Sequence, residues 1–326
     1  MTKGILPPIP LLPVCRDSDE TPEALRGSYI AIGNFDGLHL GHQYLIRQMQ
    51  ARALRAGKPA AVMTFEPHPR QFFNPEKPFF RLTSEAVKEI VLTKLGVDGL
   101  FVRGFDGILA RQNASDFVSM LRRDIGVSGV VVGHDFHFGR NREGTPERLG
   151  ILCADQGLDC TVVEPFRDGD IVVSSSAIRK ALAEGDIGRA NTLLGYRWFI
   201  RSTVIHGAKR GRELGFPTAN LILDKGCDLS HGCYSVRAVL GDGTVHDGVA
   251  SFGRRPMFDN GAPLFEVHLF DFSGDLYGQE MNVEIIGWIR AEQSFSSLAD
   301  LVAAIANDAG TARAQLSVAS GSSMIA

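Results

Sequence analysis

The sequence predicts an α/β protein of two domains: a parallel sheet with crossover helices, then a small antiparallel β-barrel followed by a C-terminal helix. Three observations carry that expectation. Short apolar runs alternate with amphipathic stretches through the first half. After about Gly185 the pattern changes to β-type runs separated by Gly, Asp and Asn. One further helical stripe follows those runs.

In the first half, residues 29–32, 60–65, 99–102 and 129–132 read as buried strands. Helical patterns lie between them at 42–56, where Leu45, Met49 and Ala53 recur at i, i+4, and at 84–95 and 114–123. Strands alternating with helices imply parallel pairing, with a ligand site beyond the carboxyl ends of the strands. In the second half, residues 198–205, 233–239, 245–252, 264–272 and 281–289 read as strands, with a hairpin at Gly241-Asp242-Gly243. A helix over 297–309 is predicted from Leu298, Leu301, Val302 and Ile305 on one face, capped by Ser296 or Ser297. The hinge is expected between Asp186 and Arg197, which gives domains 1–186 and 187–326.

Composition narrows the partners. Lys and Arg total 34 against 37 Asp and Glu, a net charge of −3, and no long basic block occurs. A nucleic-acid groove is therefore not expected, whereas small phosphorylated ligands remain open to loops and helix ends. Five cysteines without a Cys-x-x-Cys spacing read as reduced thiols. No apolar run reaches the roughly 20 residues that cross a bilayer. Pro7, Pro8, Pro10 and Pro13 break the apolar N-terminus as a signal helix. A cytoplasmic protein is expected, a monomer or weak homo-oligomer acting on small molecules away from membranes.

Gly33–His42, GNFDGLHLGH, falls where the first strand ends and the first helix begins. Gly33 and Gly37 allow backbone to approach a phosphate, and Gly41 leaves room where the helix opens. Free N–H groups at that helix end attract anions. His39 and His42, at i, i+3, are placed to face one ligand and donate to phosphate oxygens. Neither the dinucleotide glycine pattern nor a GxxxxGK[ST] loop occurs. The layout suits nucleotidyl transfer, where positioning and charge stabilisation dominate. A metal-binding pair or two incidental surface histidines is the plainer alternative.

His39-Leu40-Gly41-His42 resembles the HxGH signature of the nucleotidyltransferase superfamily. The longer string, with TFEPHP at 64–69, RLT at 81–83, VVGHDFHFGRNREG at 131–144 and SSSAIR at 174–179, resembles bacterial bifunctional riboflavin kinase/FAD synthetases. The resemblance implies a Rossmann-like nucleotidyltransferase domain in which Gly33, Asn34, Phe35, Asp36, His68, Ser174 and Ser175 contact ATP. It makes His39 and His42 catalytic, gives Arg179 the ATP phosphates, and puts Asp135 and Phe136 in the flavin-contacting loop. Ser176 stands where the family commonly has Thr and keeps the hydroxyl. For His68, between Pro67 and Pro69, capping a turn is the alternative.

In the second half, HGAKRGRELGFPTANL over 206–221 sets Gly207, Gly211 and Gly215 among Lys209, Arg210 and Arg212. Glycines permit a tight loop over phosphates, and basic residues offset their charge. Thr218 and Asn220, two apart on an extended segment, present hard oxygens on one face, which suits Mg²⁺ held with ATP phosphates. A solvated glycine-rich turn is the alternative. The run resembles the riboflavin kinase module, whose PTAN motif supplies Mg²⁺ ligands. In LFEVHLFDFSGDLYGQ, at 264–279, the resemblance makes Glu266 the catalytic base. Arg290 is a weaker candidate for the flavin end of the pocket.

The match runs from about Ile30 to Leu316 and implies phosphorylation of riboflavin to FMN, then adenylylation of FMN to FAD, with ATP and Mg²⁺ at work. One stretch departs from it. Ser251-Phe252-Gly253-Arg254-Arg255-Pro256-Met257 replaces the family's usual N-I-G-x-x-P-T beside the kinase pocket. Two alternatives therefore stay open: an enzyme with a single working activity, and a flavin- or nucleotide-sensing protein without turnover.

Overall fold

A computed structural model describes residues 12–17, 19–168, 171–207, 211, 214–254 and 263–325. Lys209, Arg212 and Met257 lie outside the described residues. Two compact units are distinguished: one contains Pro10–Phe79 and Lys88–Val173, the other Phe80–Val87 and Ser174–Ala326.

The first unit carries a six-stranded sheet, entirely parallel in its pairings, in the order β1-β4-β3-β2-β5-β6. Four strands are the expected ones: β2 (Tyr29–Ile32), β3 (Ala60–Glu66), β4 (Gly99–Gly104) and β5 (Gly129–Gly133). The two outer strands, β1 (Val14–Arg16) and β6 (Asp159–Val163), escape the sequence reading. β1 has three residues and β6 is largely uncovered, so neither shows the unbroken apolar run of a central strand. The helices are α1 (Leu40–Ala56), α2 (Pro69–Phe73), α3 (Glu85–Lys94, within this unit from Lys88), α4 (Gly107–Arg111), α5 (Ala114–Met120) and α6 (Pro146–Asp155). The short pair β7 (Arg167–Asp168) and β8 (Ile171–Val172) follows. Ile30, Ile32, Met63, Phe101, Val130 and Val132 from the strands pack with Phe117, Val118, Leu121 and Leu149 in one core.

The second unit holds α7 (Ser175–Ala183), α8 (Ile187–Leu194) and a closed barrel. Its strands are β9 (Phe199–Ile205), β10 (Ala219–Leu221), β11 (Gly232–Leu240), β12 (Val245–Arg254), β13 (Pro263–Leu269) and β14 (Glu280–Ala291). They run β10-β13-β12-β11-β14-β9, and β9 pairs back onto β10, so no strand edge remains open. β13 ends before the expected Phe272 because Asp271 takes a left-handed conformation, φ 56°. The last helix, α9 (Leu298–Ser317), runs past the expected end at 309. Ala309, Ala312 and Leu316 continue its apolar stripe against Val249 and Phe270 of the barrel, which Gly310 and Thr311 obscure in the sequence.

The Ser-rich tail beyond α9 is held by a buried ion pair. Arg197 Nη1 lies 3.3 Å from Glu284 Oε2, and both side chains are buried. Arg197 also donates to the carbonyl of Ala319, and the Ser323 hydroxyl donates to Glu284. Burial raises the Glu284 carboxyl, while Ser323 and Arg197 act in the opposite direction. Removing one partner of such a pair strands a charge in low dielectric. Arg197→Met should destabilise this unit by about 3–5 kcal/mol, and Arg197→Met/Glu284→Leu should recover most of the loss. Urea unfolding followed by tryptophan emission checks this, because both tryptophans, Trp198 and Trp288, lie in this unit.

Candidate active sites

The loop after β2 departs from ordinary backbone. Phe35 and Leu38 adopt left-handed φ values of 47° and 41°, and Gly37 adopts 88°. Non-glycine residues there cost about 1–3 kcal/mol each. Complete burial of the Phe35 and Leu38 side chains, 1% and 0% exposed, offsets that cost. Gly33 and Gly41 have packing reasons as well. A β-carbon on Gly33 would lie 3.3 Å from the Phe35 ring, and one on Gly41 would lie 3.2 Å from the His39 ring.

The loop delivers His39 to the N-cap of α1. His39 Nδ1 accepts from the His42 backbone N–H at 3.3 Å. The expectation that His39 simply donates to a ligand is thereby refined: one nitrogen caps the helix, and a neutral ring keeps its proton on Nε2. The two imidazoles stack with centroids 3.7 Å apart and planes 15° from parallel. Burial first, then His39, then Lys88 hold His42 well below the usual imidazole range. His42 Nδ1 is buried with no hydrogen-bond partner among the described residues. His42 is therefore a neutral, desolvated group beside a helix N-terminus, with a ring nitrogen that fits a hydrogen-bonding ligand atom.

Beneath this loop lies Lys88, which the sequence reading passes over. Its Nζ donates to the Asn34 carbonyl at 3.1 Å and to Thr64 Oγ1 at 2.9 Å, with Glu66 Oε1 at 3.6 Å. Thr64 Oγ1 also donates to the Asn34 carbonyl, at 3.1 Å. The signal is visible in retrospect: Lys88 occupies the same helical stripe as the buried Val91 and Leu92. Asp36 is also buried, whereas Asn34 is exposed.

Past the carboxyl ends of β3, β4 and β5 two aromatic groups form. Phe105 meets Phe65, Phe72 and Phe73 edge-on, with centroids 5.4–6.0 Å apart. Phe136, half-buried, stacks on Phe138 at 5.4 Å, and Asp135 is exposed in the turn before it. His68 caps α2, its Nδ1 accepting from the Arg70 N–H at 3.1 Å, and its ring lies 4.6 Å from that of Phe79. In the second unit, Ser174 caps α7 by accepting from the Ala177 N–H, and Ser175 is the first residue of that helix. Arg179, one turn on, donates from Nε to the Phe80 carbonyl at 2.6 Å.

The barrel gathers the other group. Register pairs Asn220 with Glu266, Glu266 with Ser251, Ser251 with Cys233, and Cys233 with Arg290. Directly opposed residues project from one face, so these five form a row across the outside of the barrel. Phe265, Val267 and Leu269 alternate into its interior. Asn220 Nδ2 makes a long bond of 3.5 Å to the Thr218 carbonyl. Its Oδ1 is buried and unpartnered among the described residues. A β-carbon on Gly207 would lie 2.4–2.7 Å from the Asn220 amide, and one on Gly211 would lie 2.4 Å from the Phe216 carbonyl. Gly215 is left-handed, φ 85°. The orphaned Oδ1 and the nearby Thr218 hydroxyl are hard oxygens that fit a Mg²⁺ ion.

Two barrel residues take roles that the sequence did not show. His268 Nδ1 lies 2.9 Å from the Pro217 carbonyl, so the ring must donate there and pin the segment that carries Thr218 into β10. Arg290 forms a two-pronged pair with Asp308 of α9 at 2.7–3.1 Å, which ties the helix to the end of the row.

The profile of the FAD synthetase family matches residues 21–177, and that of the riboflavin kinase family matches residues 194–316. The bifunctional riboflavin kinase/FMN adenylyltransferase of Haemophilus influenzae is 39% identical over 298 residues, covering 89% of this chain and 94% of the relative. Its counterpart in Escherichia coli is 39% identical over 88% of this chain and 92% of its own, and that in Bacillus subtilis 37% over 86% and 90%. A crystal structure described as a macrolide-efflux protein from Streptococcus pneumoniae superposes with a TM-score of 0.81 at 30% identity, covering 92% of this chain and 98% of that one. Among the described residues, no helix is long and apolar enough to cross a membrane.

The histidine pair makes a pH prediction. The unfolded chain protonates His42 near 6.5, whereas the folded chain does so well below that value. Protons then favour the unfolded state, so stability should fall as pH drops below about 6.5, with no such contribution above it. Proton NMR of the His42 ring should show no protonation at pH 6; a ring largely charged there would contradict the buried geometry.

Proposed function

This chain belongs to the bifunctional riboflavin kinase/FMN adenylyltransferase family, and from that premise we propose how its residues divide the two reactions. The enzyme phosphorylates riboflavin to FMN with ATP, and adenylylates FMN with a second ATP to give FAD and pyrophosphate. The observation that carries the residue assignment is the barrel register, which faces the orphaned Asn220 oxygen and the Glu266 carboxylate across one strand pair.

In the kinase reaction, Glu266 takes the proton from the primary alcohol of riboflavin as that oxygen attacks the γ-phosphorus, while the bond to the β-phosphate oxygen breaks and ADP leaves. Thr218 and Asn220 would hold Mg²⁺, which supplies charge neutralisation on the phosphates. Gly207, Gly211 and Gly215 are read as contacts to the ATP phosphates, with Lys209 and Arg212 as charged partners, on the family resemblance. His268 keeps the Thr218 segment in place through the Pro217 carbonyl.

In the adenylylation, an oxygen of the FMN phosphate attacks the α-phosphorus of ATP and the bond to the β-phosphate oxygen breaks. The attacking oxygen is already anionic, so no base is needed. Neutral His42 and His39 act as hydrogen-bond donors to charge that builds on the phosphoryl oxygens. The loop Gly33–Asp36 lines the nucleotide. Phe136, stacked on Phe138 and preceded by Asp135, offers a stacking surface for isoalloxazine. Arg179, Ser174 and Ser175 are read as ATP contacts on the family resemblance alone. The family matches stop at 177 and resume at 194, which supports a functional boundary near the 186/187 junction. Free thiols at Cys15, Cys153, Cys160, Cys227 and Cys233 fit a cytoplasmic enzyme.

A second reading, a chain with only one effective activity, is favoured by Ser251, the cross-strand neighbour of Glu266 at a departure from the family pattern. Incubation with riboflavin and Mg-ATP separates them: the bifunctional enzyme yields FAD, while a lesion in the kinase yields FAD only from supplied FMN.

Two variants then assign the residues. Glu266→Gln should lower FMN formation by about 10²- to 10⁴-fold and leave FAD formation from FMN intact. His42→Ala should lower FAD formation by about 10²-fold or more and spare the kinase. Parallel loss of both activities in either variant would contradict separate sites. Gly207→Ala should displace the Asn220 amide and raise the KM for Mg-ATP in the kinase assay alone.

A further inference from the structure

Resting on the adenylyltransferase reading above, we propose that Lys88 is a positioning residue for adenylyl transfer, gripping the Asn34 carbonyl from within the protein so that the Asn34–Phe35 peptide presents its N–H outward to the nucleotide. The Asn34 carbonyl receives two donors, Lys88 Nζ and Thr64 Oγ1, each at 3.1 Å. Both side chains are buried, so the carbonyl points inward. In a trans peptide the N–H lies antiparallel to the carbonyl, which turns the Phe35 N–H toward the surface, where Asn34 itself is exposed.

Two physical effects follow. The first is conformational. Phe35 sits at φ 47°, a conformation that persists only when its surroundings over-determine it. Two donors occupy both lone pairs of the preceding carbonyl and fix the plane of that peptide. Lys88 reaches from α3, Thr64 from β3, and Asn34 from the loop after β2, so one ammonium locks three elements together. The second effect is electrostatic. A cation bonded to a carbonyl polarises the peptide and strengthens its N–H as a donor. Lys88, with the Glu66 carboxylate at 3.6 Å as counter-ion, also places an ammonium beneath the N-terminus of α1, where the nucleotide is proposed to bind. The charged and titratable groups that bear on His42 are His39 from its own cap and Lys88 from α3, with Glu66 of β3 beside Lys88. Positive charge is thus carried by the lysine while the histidines stay neutral donors.

The test compares Lys88→Met, Lys88→Arg and Thr64→Val in the full chain. FAD formation from FMN is the readout, and FMN formation from riboflavin in the same preparation is the folding control. Lys88→Met should lose about 10- to 100-fold in kcat for FAD, with the KM for ATP changing less than about threefold and the kinase unaffected. Lys88→Arg, which keeps the charge and the donors, should recover part of the loss. Thr64→Val should act in the same direction, and combining it with Lys88→Met should add little, because both changes free one carbonyl. The His42 ring should titrate at higher pH in Lys88→Met, since one of the groups that depress it is gone. FAD formation within threefold of the parent in a folded Lys88→Met protein, an unmoved His42 titration, or equal loss of both activities without rescue by arginine would overturn the proposal. If Lys88→Met does not accumulate, an unimpaired Thr64→Val enzyme overturns it instead. A parent protein that makes no FAD would count against the adenylyltransferase reading, and the His42 titration would still report on the lysine.

Discussion

Everything the barrel does chemically depends on the register between β10 and β13. Ala219 and Leu221 oppose Val267 and Phe265, all four buried, and Asn220 opposes Glu266 between them. A slip of one residue would turn Glu266 into the barrel and Val267 out of it, at the cost of a buried carboxylate and an exposed apolar face. Hydrophobic alternation that has nothing to do with phosphate chemistry thus fixes the proposed base and the proposed metal ligand opposite one another. Closure of the sheet adds to this, since β10, only three residues long, is paired on both sides.

The first unit positions its groups by a different route. Its sheet supplies only the place where the strands end, and the ligand-facing shape comes from a loop that pays in backbone strain for a fixed set of directions. That strain is tolerated because Phe35 and Leu38 enter the core and because the Asn34 carbonyl is held. His39 belongs to this economy of space: its ring fills the gap left by Gly41, caps the helix and stacks on His42 in one placement. A glycine spacing that reads as access for a ligand is, in part, room for rings of the protein itself.

Central features of both units were legible because each combines a local rule with burial. The four central strands announce themselves by continuous apolar runs, and β13 by the alternation of Phe265, Val267 and Leu269 that sends Glu266 to the other face. The outer strands β1 and β6 were not legible, since a short or half-covered strand lacks the pattern on which such reading depends. The end of α9 was missed for a related reason, because Gly310 and Thr311 interrupt a stripe that tertiary packing nevertheless completes. In the sites, motif residues could be named in advance, but Lys88, His268 and the Arg290–Asp308 pair could not be placed. Their partners lie 54, 51 and 18 residues away in sequence, and no local spacing records a contact of that range.

The row of side chains across the barrel also narrows which of them serves as base. Burial first, then the nearby Asp308, push the Cys233 thiol up to about 12, so it keeps its proton at neutral pH and is a poor nucleophile. Arg290 is a cation bound to Asp308, and Asn220 and Ser251 do not ionise in this range. Glu266 is then the one member of the row that can accept a proton from an alcohol. Asn220 and Ser251 flank it on the adjacent strands. The replacement of the family's usual asparagine by Ser251 therefore falls directly beside the proposed base, on the strand paired with it.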